Sequence, residues 1–306
     1  MSAGWVAGSV RARAIARRRV GADAARQMAG CASLAEALAM LAATPYRVGT
    51  AGQQTLASAQ HAVNASVLWD LRVLAGWLPQ GGAQLMRTLA GWFEIANVDE
   101  RIAELSGRPA GQYFTLGALA TAWPRLQPAA TLAEIRTGLA ASAWKDPGDQ
   151  AAALAVGMRA RWAERVAGLG EPARTWAATA ITLLLAGEFL RAGRQDHPIL
   201  GSVAATLVGG AAADAGTIDE LIGRVPPRLA WVLDGISSPA DLWRGEAAWW
   251  ARTERDGKRL LEGPGFDQQP VIGAAVLLAA DARRVAAALE IAARGGGQVG
   301  AFDAVA

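Results

Sequence analysis

The sequence predicts an all-α protein, organised as three related units of a short capped helix followed by a long helical hairpin. Three observations carry this. First, alanine and leucine dominate a chain of 306 residues that is 52% apolar and 19% charged. No run of β-branched residues alternates with polar ones, as a half-buried strand would require. Second, Ser/Thr-x-x-Glu occurs three times, beginning at Ser33, Thr131 and Thr217. Third, Val271, Ala275, Leu278, Ala282, Val285, Leu289 and Ala292 recur at alternating spacings of four and three, a narrow helical seam with Asp281, Arg283, Arg284 and Glu290 placed off it.

The first box opens SLAEALAMLAATPY (33–46) and the second TLAEIRTGLAASAW (131–144), an offset of 98 that sets Tyr46 opposite Trp144. The third reads Thr217-Ile218-Asp219-Glu220. In each, the hydroxyl is expected to accept from the amide three residues on, while the glutamate reaches back to the cap's own amide. Three boxes in related surroundings read as an internal repeat.

A predicted hairpin follows each box. The arms are 55–78 and 84–105, then 150–169 and 172–192 parted by Gly170-Glu171, then 239–261 and 269–294 parted by Gly263-Pro264-Gly265. Proline near a helix start and glycine beyond its end fit the asymmetry of helix termini. The units are drawn at 1–106, 107–193 and 194–306, the last ending in a flexible tail.

The first hairpin carries Arg72-x-Leu-Ala-Gly-Trp77 and, fifteen residues on, Arg87-x-Leu-Ala-Gly-Trp92. Pro79-Gln80-Gly81-Gly82 lies between them and reads as a stretch that helix does not cross. The glycines are expected to let the arms approach and the tryptophans to wedge them. Tryptophan supplies twelve of the nineteen aromatic residues, read as rigid core fillers. Leu242, Trp243, Trp249, Trp250 and Leu260 are expected to face the last helix.

A net charge of +3 is weak support for a nucleic-acid partner, and none is expected. One basic cluster stands out: Arg11, Arg13, Arg17, Arg18 and Arg19, with no acid before Asp23. It reads as a solvated helix face, or as a contact for an anionic partner or membrane surface. Cys31 is the only cysteine, so no intrachain disulfide is expected. The N-terminal stretch lacks the order of a secretory signal, and the most apolar piece, 176–186, is too short to span a membrane. The expected location is the cytoplasm, docked peripherally at most.

The search for chemistry returns little. His61 and His197 lack neighbours at metal-ligand spacing, and no metal is expected. No P-loop or Gly-x-Ser-x-Gly elbow occurs. Gly295-Gly296-Gly297-Gln298-Val299-Gly300 formally matches a dinucleotide fingerprint but follows a helix, not a strand. Asp99-Glu100 does not place two acids on one helix face. The expectation is a protein with no catalytic residues and no cofactor.

Against that background, Trp92-Phe93-Glu94-Ile95-Ala96-Asn97-Val98-Asp99-Glu100-Arg101-Ile102 resembles the aromatic–acid–x–x–Asn–aliphatic signature of the C/d connector family of V/A-type (vacuolar-type) ATPases, found in bacterial, archaeal and eukaryotic enzymes. Leu41-Ala42-Ala43-Thr44-Pro45-Tyr46 is similar to the ending of that family's first repeat, and 271–294 to its last helix. Glu94 stands where the family usually has Asp, and Asp99 where it has a basic residue. The resemblance implies three all-α units around a pseudo-threefold axis, forming a funnel. It also implies a rotor component that seats the central shaft subunits on the membrane ring of ion-carrying subunits and passes torque for proton or sodium transport. Glu94, Asn97 and Arg101 are the residues it singles out, as helix-to-helix hydrogen bonds or as shaft contacts. The competing expectation is a soluble helical-repeat adaptor binding a peptide or protein. A third, an all-α enzyme acting on hydrophobic substrates, would need acids lining a pocket.

Overall fold

The computed structural model describes residues 3–46, 55–192, 197–297 and 299–305. Among these the regular elements are all helical. In chain order they are α1 (Ala3–Ala16), α2 (Gly21–Ala29), α3 (Leu34–Ala42), α4 (Leu56–Trp77), α5 (Gln80–Leu89), α6 (Gly91–Leu105), α7 (Trp123–Leu126), α8 (Leu132–Ala140) and α9 (Ala151–Ala167). There follow α10 (Ala173–Ala192), α11 (Pro198–Leu207), α12 (Gly210–Ala213), α13 (Ile218–Arg224), α14 (Pro227–Ala230), α15 (Leu242–Glu262), α16 (Gln268–Ala293) and α17 (Val299–Val305). No described helix is long and apolar enough to cross a membrane.

The chain divides into two compact units, one of residues 1–86 with 250–306 and the other of residues 87–249. The division into 1–106, 107–193 and 194–306 follows repeated sequence, whereas packing joins the two ends of the chain.

In the first unit α16 is the central helix, with α1, α2, α3, α4 and α17 packed around it. The seven seam residues are all buried, but so are Ile272, Ala274, Leu277 and Ala288, and with them Asp281 and Arg284. The predicted narrow seam is therefore a helix enclosed on nearly all sides. Its Ala-rich sequence permits this, since small side chains let several helices come close at once. Along α15 the approach is closest at Gly273, where an added Cβ would lie 2.6 Å from the Gly257 carbonyl oxygen and 2.8 Å from the Leu261 nitrogen. Where a flexible tail was expected, Gly295, Gly296 and Gly297 turn with positive φ and lead to α17. There Phe302 is buried and Asp303 pairs with Arg26 at 2.9 Å.

In the second unit α9 and α10 form the expected antiparallel pair, with α11 against both. The first predicted hairpin is less simple. A helix does run through Gln80, Gly81 and Gly82, because Pro79 occupies the position before α5, where its missing N–H costs nothing. The chain bends again at Ala90. Thereafter α4 packs on α1 and α16, while α6 packs on α7 and α9. Gly91 does permit close approach, since a Cβ there would meet the Trp162 ring at 2.8 Å, but Gly76 has nothing within 4 Å. Trp77 and Trp92 are both exposed rather than wedged. Among the other tryptophans, Trp123, Trp144 and Trp176 are buried, whereas Trp69 and Trp243 face solvent.

The hydroxyl half of all three predicted boxes forms. Ser33, Thr131 and Thr217 accept from the backbone N–H of Glu36, Glu134 and Glu220 at 3.3, 3.2 and 3.2 Å. The glutamates reach one residue further back than expected, to the amides of Ala32, Ala130 and Gly216 at 2.9, 2.7 and 2.9 Å. The extended N-cap backbone brings that earlier amide into reach, and all three boxes make the same choice.

Candidate functional site

The residues singled out by sequence, Glu94, Asn97 and Arg101, lie on one face of α6 at spacings of three and four. Each grips the irregular segment that follows. The Asn97 carboxamide donates to the Phe114 carbonyl at 2.9 Å and accepts from the Phe114 N–H at 2.6 Å, so it pairs as a backbone strand would. Glu94 accepts from the N–H groups of Thr121, Ala122 and Trp123 at 3.1, 2.6 and 2.5 Å, which caps the start of α7. Arg101 donates from Nε and Nη2 to the Ala129 carbonyl at 3.0 and 2.6 Å, and its Nη1 pairs with Glu104.

Burial fits these roles. Glu94 and Asn97 are 1% and 0% exposed, and a buried polar group is tolerated only where its hydrogen bonds are made. The three residues therefore fix residues 114–129 against α6. Asp99, at the position that departs from the family pattern, pairs with Arg159 of α9 at 2.7 Å. Arg159 also lies 5.9 Å from the centre of the Trp92 ring.

A second contributor to the Glu94 site comes from beyond α8. Ser142 donates to the Leu139 carbonyl and accepts from the Trp144 N–H, at 2.7 and 3.1 Å. This turn aims the Trp144 indole at Glu94, Nε1 to Oε2 at 2.9 Å. The Arg165 guanidinium lies over the same indole at 4.9 Å. Burial pulls its pKa down from the ordinary arginine value, and the Glu94 charge opposes that shift.

The first unit repeats the arrangement around Asp281 of α16. Asp281 is 1% exposed and accepts from the N–H groups of Val20 and Gly21 at 2.9 and 2.8 Å, at the start of α2. Beyond α3, Thr44 donates to the Leu41 carbonyl at 2.7 Å and accepts from the Tyr46 N–H at 3.3 Å. The Tyr46 hydroxyl then donates to Asp281 at 2.7 Å. Burial raises the phenol pKa, and the Asp281 charge adds to the shift. Asp281 is thus the counterpart of Glu94, and Tyr46 of Trp144.

Sequence reasoning paired Tyr46 with Trp144 but set Asp281 off the buried seam. A signal was present: Asp281 follows Leu278 by three and precedes Val285 by four, so it shares their face. His197 likewise has an acidic partner, Glu188, at 2.9 Å. Arg13 leaves the basic cluster to donate to the carbonyls of Leu261, Gly263 and Gly265 at 3.0, 2.7 and 2.8 Å.

The carboxylates at these two sites are occupied by the protein's own donors. Among the described residues no group of three or more His, Cys, Asp or Glu is placed to hold a metal ion. The chemistry of both sites is structural: each carboxylate ties a helix start and an aromatic turn to one long helix. No protein-family model matches the chain, and no curated protein is significantly similar to it.

Proposed function

We propose that the protein is a non-catalytic rotor component of a V/A-type rotary ATPase, seating the central shaft subunits on the membrane ring of ion-carrying subunits. The observation that carries this reading is the use made of Phe93-Glu94-x-x-Asn97. The stretch that resembles the connector family's signature is an internal brace, and a second carboxylate brace stands on α16. A part that transmits torque must resist bending at the joints between helices, and buried charge-assisted hydrogen bonds at helix starts give that resistance. Glu94, Asn97 and Arg101 serve this function by stiffening the body, and shaft contacts fall to other residues.

In this reading the three capping boxes mark three repeats, 1–106, 107–193 and 194–306, arranged as a pseudo-threefold funnel around the foot of the shaft. The protein works at the cytoplasmic face of the membrane as a peripheral component, in ATP-coupled transport of protons or sodium. It holds no cofactor of its own.

The test is to tag the chain in its own host, extract membranes in mild detergent and analyse the purified complex by native mass spectrometry. The expected result is a complex containing a very hydrophobic ring protein and two shaft subunits. A free monomer, or a stable complex with a soluble protein held through an extended segment, overturns the reading, the latter in favour of an adaptor.

A further inference from the structure

The basic cluster and the exposed tryptophans meet on one side of the first unit. Helices α1 and α4 pack on each other and both pack on α16. Their surfaces turned away from α16 therefore form one continuous side. On α1 this side carries Ala3, Val6, Val10 and Ala14 in line, at spacings of three and four, with Arg11 on the flank toward α4; exposed Arg17 and Arg18 follow in the turn just past the helix, Arg18 reaching Asp70 of α4. Val10 is 55% exposed. On α4 the side carries Trp69 and Trp77, 60% and 52% exposed, with the Arg72 guanidinium 5.4 Å from the centre of the Trp69 ring.

The charge on this side has one sign. Helix α1 contains no acid, and α4 contains only Asp70, which is paired with Arg18 at 3.8 Å. Arg11, Arg17 and Arg18 are exposed, whereas Arg13 is committed to the turn after α15. A side built only for water has no reason to hold two tryptophans and two valines outward among arginines. An interfacial surface does, because indoles settle at headgroup depth while guanidiniums bind lipid phosphates. A nucleic acid would use the arginines but gain nothing from the valines.

We infer that the α1–α4 side of the first unit is a docking surface for an anionic lipid bilayer, with Trp69, Trp77, Val6 and Val10 entering the interface and Arg11, Arg17, Arg18 and Arg72 pairing with headgroup phosphates. This stands apart from the rotor reading, because the purified chain alone is sufficient to test it.

The experiment is vesicle co-sedimentation of the full chain. It compares phosphatidylcholine vesicles with vesicles that also contain roughly 30% phosphatidylserine, an anionic lipid of the kind that attracts basic segments. Binding is expected only to the anionic vesicles and is expected to weaken as salt is raised. Replacing both Arg17 and Arg18 by Ser is expected to lower the partition coefficient about 30-fold, since each surface arginine contributes roughly fivefold. The double change Trp69→Ala, Trp77→Ala is expected to lower it further without loss of fold, because both side chains are exposed. Trp243→Ala, in the other unit, serves as the control and should bind normally. Equal binding to both vesicle types, no binding to either, or full binding by the arginine and tryptophan variants overturns the inference. So does capture of an acidic protein or an RNA by the same arginines with no vesicle binding.

Discussion

Glu94 and Asp281 each lie buried on a long helix and hold the start of a shorter one, but they divide the work differently. Glu94 receives three successive backbone amides and an indole. Asp281 receives two backbone amides and a phenol. The helix that Glu94 starts, α7, is four residues long, and a single turn has no stability of its own. The helix that Asp281 starts, α2, runs nine residues and buries Ala25, Met28 and Ala29. The larger number of donors falls where the supported helix can do least for itself. The extra methylene of glutamate also gives the reach needed to span the amides of 121–123.

The most severe way to break the comparison is to remove the carboxylates. Glu94→Ala is expected to destabilise the fold by about 4 kcal/mol, because it strands four buried donors, and Asp281→Ala by about 3 kcal/mol. Urea denaturation measures both, and a reversed order would show that donor count does not set the strength of the brace.

Next in size is the crossing of α15 and α16. Gly273→Ala would drive a methyl group into the backbone of Gly257 and Leu261, which cannot step aside. A loss of about 3 kcal/mol is expected, against about 1 kcal/mol for Gly91→Ala, whose nearest neighbour is a side-chain ring. Thermal or urea unfolding of the two variants checks this, and equal losses would mean that the helices separate freely.

The aromatic donors sharpen the comparison without emptying the sites. Tyr46→Phe removes only the hydroxyl bonded to a carboxylate and is expected to cost about 2 kcal/mol. Trp144→Phe should cost more, since a fully buried indole also leaves a void. If Tyr46→Phe is neutral at neutral pH, the phenol is not a working member of the Asp281 brace.

The capping boxes give a smaller and more even effect. Ser33→Ala, Thr131→Ala and Thr217→Ala are each expected to cost about 1 kcal/mol. Matching losses are expected because the three geometries match to 0.1 Å for the hydroxyl bond. A neutral result at Thr217 alone would separate the third box from the other two.

The smallest expected effect is on acid stability. Asp146 accepts from Arg136 at 2.7–2.8 Å and from the Gly148 N–H at 3.1 Å. Its pKa falls from the ordinary 3.8 to about 2, chiefly through the Arg136 hydrogen bond. A depressed folded-state pKa contributes stability that is fully present above the unfolded value and disappears as the pH falls from there through the folded value. The pair is largely exposed, so the contribution is small. Arg136→Ala should therefore lower stability slightly at neutral pH, and its difference from the unaltered chain should shrink to nothing as the pH falls from 3.8 to about 2.

These comparisons also show what the sequence could and could not reveal. Capping boxes are local chemistry, confined to four or five residues, so all three were legible. The α9–α10 pair was legible for the same reason, with Gly170 and Glu171 marking the turn between two periodic runs. The Asp281 brace joins positions 260 and 235 residues apart, and no spacing rule announces such a partner. The grouping of the two chain ends into one unit was hidden likewise, because it depends on which helices close around α16. Tryptophan misled in one direction. Its bulk suggests a core filler, yet Trp69, Trp77, Trp92 and Trp243 stand in solvent. For the candidate site, residue identities were readable on α6, but their use as an internal brace depended on where 114–129 returns.

The central functional claim is that this chain couples ATP hydrolysis to ion movement without taking part in either reaction. The direct measurement is to delete it in the host and assay inverted membrane vesicles and the soluble fraction together. The rotor reading expects ATP-driven cation uptake to be lost while catalytic heads released from the membrane still hydrolyse ATP, and uptake to return when the intact chain is restored. Undiminished uptake in vesicles that lack the chain would contradict it.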